Sequence, residues 1–114
     1  MAYKQERLEK IIEKEISNIL QSETKDERLK FVTITKVSLT GDLSIATVYY
    51  TVLGTDSQKE ATTKNLLNAK GFIRSTLGGA LDIRRIPDLK FKYDNSQETG
   101  DRIEQILKDI NKPY

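Results

Sequence analysis

The chain contains no cysteine and no histidine. Without thiols it can form no disulfide and run no thiolate chemistry. Without imidazoles it has no triad built on a histidine base, and no zinc site built on Cys or His. Carboxylates, lysines and serines stay open as catalytic groups, but no paired-carboxylate, metal or nucleophile constellation stands out, and Asp42 and Asp94 read as turn residues. The glycines form neither a phosphate-binding loop nor a dinucleotide fingerprint. No apolar run approaches bilayer length, and the charged start MAYKQERLEKII lacks the apolar core of a signal peptide. These absences point to a non-enzymatic protein with no cofactor or metal, no membrane partner and a cytoplasmic location.

What is present fits one domain over residues 1–114. Of its residues 37% are hydrophobic and 32% charged, a soluble globular composition that can bury a core without staples. Net charge is only +2, but it is unevenly spread. The first thirty residues carry seven bases and seven acids, whereas residues 61–93 hold Lys64, Lys70, Arg74, Arg84, Arg85, Lys90 and Lys92 against Asp82 and Asp88. A local basic patch on a near-neutral chain is the footprint of a polyanion binder.

Tyr3 to Gln21 reads as an amphipathic helix with the stripe Leu8, Ile11, Ile12, Ile16, Ile19 and Leu20. Its polar face offers Glu6 to Lys10, with Glu9 and Glu13 as a like-charge exception. Ser22 to Lys30 reads as a solvated connection. Phe31–Leu39 and Leu43–Leu53 suit strands, and Thr40, Gly41 and Asp42 form the turn of an antiparallel hairpin. Alternation is imperfect in both, so periodicity does not assign their faces.

Ser57 and Glu60 have capping-box spacing, and a helix should run from there to about Asn68. Gly71 then breaks the pattern, because glycine inside a helix costs about 1 kcal/mol against alanine and marks a bend or a close backbone approach. A second helix should run from Phe72 to Leu81. Asp88 to Tyr93 is the cleanest strand, with Leu89, Phe91 and Tyr93 alternating with Lys90 and Lys92. Asp94, Asn95 and Ser96 read as a turn and cap, followed by an amphipathic helix over 97–110 through Ile103, Ile106, Leu107 and Ile110.

This order resembles a type II KH domain: helix, strand, strand, helix, kink, helix, strand, then a C-terminal helix. The motifs resemble one family, ribosome-binding factor A, in Val37-Ser38, Asp42-Leu43, Ala46 with Val48-Tyr49, and Ala69-Lys70-Gly71-Phe72-Ile73-Arg74. They continue in Leu81-Asp82-Ile83-Arg84, Pro87-Asp88-Leu89 with Phe91, and Asp94-Asn95-Ser96. The resemblance implies an α+β fold with helices on one face of a three-stranded sheet. It also implies a bacterial assembly factor that binds 16S rRNA on the immature 30S subunit late in maturation, alongside other assembly factors and with a role in the cold. Ordinary KH domains clamp nucleic acid with a GxxG loop. Here Ala69, Lys70 and Gly71 form the kink instead.

The expected RNA contacts are Lys70, Arg74, Arg84 and Arg85, then Lys64, Lys36, Lys90 and Lys92. Lys70 and Arg74 are four apart and share a helix face. Plainer roles compete: an arginine stem covering apolar surface, a solvated loop at Arg84 and Arg85, lysines guarding a sheet edge. Of the consecutive Tyr49 and Tyr50, one must face outward. A monomer is expected. The alternatives are another KH-like RNA binder, or a protein-interaction module that docks through the first and last helices.

Overall fold

The apolar stripe at the start of the chain folds into helix α1 (Ala2–Asn18), continued by one wider helical turn over Ile19–Glu23. The structure, a computed structural model, describes residues 2–94 other than 82 and 84. Ile12, Ile16, Ile19 and Leu20 are buried, while Ile11 stays 42% exposed, so the buried stripe is narrower than the sequence pattern. The polar face also pairs differently: Lys10 meets Glu13 at 3.9 Å, not Glu6. Glu9 instead accepts a hydrogen bond from the Leu39 amide at 2.7 Å, and the Gln5 side chain donates to the Leu39 carbonyl at 2.6 Å. Both satisfy backbone groups that an edge strand otherwise leaves bare.

The connection after α1 is not simply solvated. Asp26 accepts from the Arg28 amide at 3.0 Å and caps a tight turn over Glu27–Phe31, and Leu29 within it is fully buried. A single leucine among charges carries no periodicity, so pattern alone does not reveal it.

Strands β1 (Val32–Leu39) and β2 (Ile45–Val52) pair antiparallel, and β3 (Asp88–Tyr93) joins the other side of β2 in parallel. A parallel neighbour requires a crossover, which α2 (Asp56–Asn68) and α3 (Lys70–Ala80) supply. The result is a mixed α+β fold in the expected order. The turn, helix and cap expected over 95–110 lie outside the described residues.

Burial alternates strictly along β2 and β3, with Ala46, Val48, Tyr50, Val52, Leu89, Phe91 and Tyr93 facing the helices. Alternation fails in β1 because the register slips: Ile34 opposes Tyr50 but Lys36 opposes Tyr49, leaving Thr35 as a bulge. One extra residue reverses side-chain parity. Ile34 and Val37 therefore both reach the core, and Lys36 faces out.

The capping box of α2 lies two residues earlier than the Ser57–Glu60 spacing suggests. Thr55 Oγ1 accepts from the Gln58 amide at 3.3 Å, and Gln58 Oε1 accepts from the Thr55 amide at 2.7 Å. Gly54 selects this start: its φ is +143°, and a Cβ there would fall 2.7 Å from Gln58 Oε1. The polar first half of α2 is a modest helix former, so tertiary contacts hold it. Leu66 and Leu67 are buried, and Thr63 Oγ1 lies 2.9 Å from the Tyr50 hydroxyl inside the core. The Tyr50 ring meets Phe91 and Tyr93 edge-on, at centroid distances of 6.3 and 5.3 Å. Burial pushes the Tyr50 phenol well above the usual tyrosine range, so it stays protonated and can donate.

The hairpin turn is organised by one carboxylate. Thr40 Oγ1, Ser44 Oγ and the Ser44 amide converge on Asp42 Oδ1 at 2.7, 2.7 and 3.1 Å. These donors, the Thr40 hydroxyl foremost, hold the Asp42 carboxyl at about 2, below its ordinary 3.8. The left-handed residue of the turn is Leu43 (φ +62°), whose side chain packs against the core.

Two outcomes are expected. Tyr50→Phe should lose about 1–2 kcal/mol in urea unfolding by stranding the Thr63 hydroxyl, and adding Thr63→Val should recover part of that loss. Asp42 has a depressed folded pKa, so its contribution is full above about pH 4 and is lost as pH falls through about 2. Carboxyl NMR should place its midpoint near 2, and Asp42→Asn should flatten the acid limb of stability between those values.

Candidate nucleic-acid interface

Most of the basic residues singled out by sequence fall into two groups. Lys64, Lys70 and Arg74 ride on the crossover helices, with Arg85 in the connection to β3, whereas Lys36, Lys90 and Lys92 stand on the outward side of the sheet. Arg84 lies outside the described residues.

On the helical side, the bend falls at Ala69 (φ −85°, ψ 0°). Its amide bonds back to the Asn65 and Leu66 carbonyls at 3.0 and 3.1 Å, and its carbonyl accepts from the Ile73 amide at 2.9 Å. Ala69 therefore closes one helix and opens the next. α3 begins at Lys70 rather than Phe72, which puts Gly71 inside its first turn instead of at a break. A Cβ on Gly71 would meet nothing within 4 Å, and its φ is not positive. The fold thus does not need glycine there, and the bare backbone is open to approach from outside. No side chain caps α3 and its first turn carries no acid, so the positive end of the helix dipole lies beside Lys70. Lys64 is exposed, Lys70 is half-buried, and Phe72 next to Gly71 is 47% exposed.

Arg74 is committed differently. Its Nε donates to the Pro87 carbonyl at 3.1 Å and its Nη2 to the Ile86 carbonyl at 2.8 Å. The planar fork fastens the segment entering β3 to α3. Gly78 assists, since a Cβ there would meet Ile86 Cγ1 at 3.2 Å. The arginine stem does not merely cover Phe72 or Leu77. It holds the neighbourhood of Arg85 in place, which is exposed.

On the sheet, the register sets Lys36, Tyr49 and Lys92 side by side, with Ser38, Thr47 and Lys90 in the next row. The ammonium groups of Lys36 and Lys92 lie 5.8 and 5.9 Å from the Tyr49 ring centroid, within cation–π range. None of the three lysines pairs with a carboxylate among the described residues. Tyr49 is the outward member of the tyrosine pair, and Tyr50 is fully buried. The signal available in sequence was parity with Ala46 and Val48.

One further surface escaped the sequence reading. Phe31 (55% exposed) and Leu53 (79% exposed) sit at adjoining strand ends, where the Leu53 amide donates to the Phe31 carbonyl at 3.3 Å. They border a cleft of about 500 Å³, shared with Arg28, Gln58 and Ala61. Both residues read as ordinary strand apolars, and no sequence signal sets them apart.

The mixed sheet, the bent crossover and the basic surfaces define an α+β protein of the kind seen in solved ribosome-binding factors. A family model described as Ribosome-binding factor A matches residues 4–107. This chain belongs to the ribosome-binding factor A family. It is 48% identical over 112 residues to ribosome-binding factor A of Staphylococcus saprophyticus, covering 98% of each chain. It resembles the crystal structure of ribosome-binding factor A from Thermus thermophilus with a TM-score of 0.69 and 25% identity, over 78% of this chain and 94% of that one. A Thermus thermophilus homology model, fitted into a cryo-EM map of a 30S complex with that factor, matches with a TM-score of 0.68 over 82% of this chain and 99% of the other. At 23% identity that likeness is one of fold.

Arg74→Ala should cost about 1–3 kcal/mol of unfolding free energy by releasing two carbonyls from a charged donor. Arg74→Lys should fail to restore it, because an ammonium lacks the fork. Urea unfolding of both variants measures this.

Proposed function

We propose that this protein is a maturation factor of the small ribosomal subunit that binds 16S rRNA on immature 30S particles. It assists late processing or folding of that RNA, including at low temperature. It works in the cytoplasm as a single-domain monomer, without catalysis. The observation that carries this reading is the bend at Ala69-Lys70-Gly71. There an uncapped helix start and a glycine that the fold does not require adjoin Lys70, with Lys64 on the preceding helix and Arg85 beside the segment that Arg74 holds, in a family named for ribosome binding. The 30S complex described for the Thermus relative supports a small-subunit partner.

Binding of this kind draws on phosphate contacts. Each neutralised phosphate releases counterions, so affinity falls steeply with salt. A factor without catalysis acts by binding one RNA conformer better than another, and it moves the population by that difference in affinity. Arg74 contributes here chiefly by placing Arg85.

A second reading, a protein-docking module, draws support from the exposed Phe31 and Leu53 beside their cleft. Apolar docking responds weakly to ionic strength, and that separates the two.

Co-sedimentation with mature small subunits, large subunits and immature small-subunit particles across a salt series tests the proposal. A Lys64→Ala, Lys70→Ala, Arg85→Ala variant serves as comparison and leaves the Arg74 clamp intact. We expect binding confined to small-subunit particles. The variant should bind more weakly, with a log–log salt slope shallower by about 2–3. Binding that ignores salt would favour the docking module, and no binding to any particle would overturn the assembly reading.

A further inference from the structure

We propose that the face of the sheet turned away from α1, α2 and α3 is a second RNA site, which takes single-stranded RNA with a base stacked on Tyr49 and the neighbouring phosphates on Lys36 and Lys92. The proposal rests on the rRNA-binding reading above and adds to it the form of RNA and the residues that take it.

The surface is specifically constructed. Lys36 reaches this face only because the Thr35 bulge reverses the parity of β1. That brings an ammonium 5.8 Å from the Tyr49 ring from one neighbouring strand, while Lys92 stands at 5.9 Å from the other. Lys90 is in the next row, two residues along, roughly 7 Å away at strand rise. The one acid among the outward residues of the three strands is Asp88, beside Ile45 at the far end of β3.

Charge of one sign around an aromatic ring selects a polyanion that also offers flat faces. Duplex RNA hides its base faces inside the stack, whereas an unpaired strand exposes them, and stacking on an aromatic side chain tolerates any base. Exposed cation–π contacts are weak. The two ammoniums can therefore turn from the ring to phosphates as a base arrives. The hydroxyls of Thr47 and Ser38 lie in the Lys90 row, where the adjoining sugar would run.

The test uses the full chain with a short fluorescent oligoadenylate, a blunt RNA duplex and inorganic polyphosphate as probes, with unfolding midpoints measured in parallel. Tyr49→Ala should weaken oligoadenylate binding about 5- to 150-fold, the range for one stacked base. Tyr49→Leu, which keeps apolar bulk without a π face, should lose as much, and Tyr49→Phe should stay within about twofold of wild type. Polyphosphate binding should be indifferent to Tyr49 and should fall in Lys36→Ala with Lys92→Ala. Equal oligoadenylate affinity in wild type and a folded Tyr49→Leu variant would overturn the stacking site, as would equal losses for Tyr49→Leu and Tyr49→Phe. Sedimentation with small subunits separates the two proposals. Wild-type binding to subunits without any Tyr49 effect on oligoadenylate ends the stacking site alone, and a Tyr49 effect without subunit binding ends the assembly reading alone.

Discussion

The hydroxyls of Tyr50 and Thr63 meet at 2.9 Å inside the core, and the same tyrosine ring meets Phe91 and Tyr93 edge-on. That side chain ties the central strand to the crossover helix on one side and to the parallel strand on the other. Helix α2 has little intrinsic preference for its conformation, so it depends on this anchorage together with Leu66 and Leu67. Where α2 ends decides where Ala69 bends the chain, and so where Lys70 and Gly71 are presented. The same constraint acts on the other face. A strand that buries Tyr50 must turn Tyr49 outward, because successive side chains alternate.

The basic residues divide the work. Arg74 spends its fork on the protein's own carbonyls and fixes the approach to β3. Lys64, Lys70 and Arg85 make no such commitment among the described residues. On the sheet, Lys36 and Lys92 flank a ring with Lys90 in the next row, and none of the three meets a carboxylate among the described residues. A near-neutral protein thereby shows cations on both its helical side and the other side of the sheet, and among the described residues most of its acids lie on α1 and the turns.

Much of this arrangement was legible in the sequence. The alternation of Leu89, Phe91 and Tyr93 with lysines located β3 and its faces, and the spacing of Ile12, Ile16 and Ile19 located the buried stripe of α1. The order of elements and the motifs around Ala69-Lys70-Gly71 pointed to the family. The rest depended on tertiary structure. The Thr35 bulge is a pairing event and leaves only a broken alternation in the sequence. Thr55-Gln58 and Ser57-Glu60 both have capping-box spacing, and the dihedral of Gly54 decides between them. The charge of Arg74 was plain, but its acceptors are backbone carbonyls twelve and thirteen residues away, a partnership without a side-chain signature.

The parallel pairing of β2 with β3 also shapes how the chain folds. Asp88 pairs beside Ile45, so β3 can be captured only after the whole α2–α3 crossover has closed back on the sheet. The hairpin needs only nearby contacts and can assemble first. Until the crossover arrives, the β2 edge leaves the backbone groups of Ala46, Val48 and Tyr50 unpaired, a template for another copy of the same strand. The anchor between Thr63 and Tyr50 therefore has a kinetic role as well. By drawing a reluctant helix onto the sheet, it shortens the time for which that edge stands open.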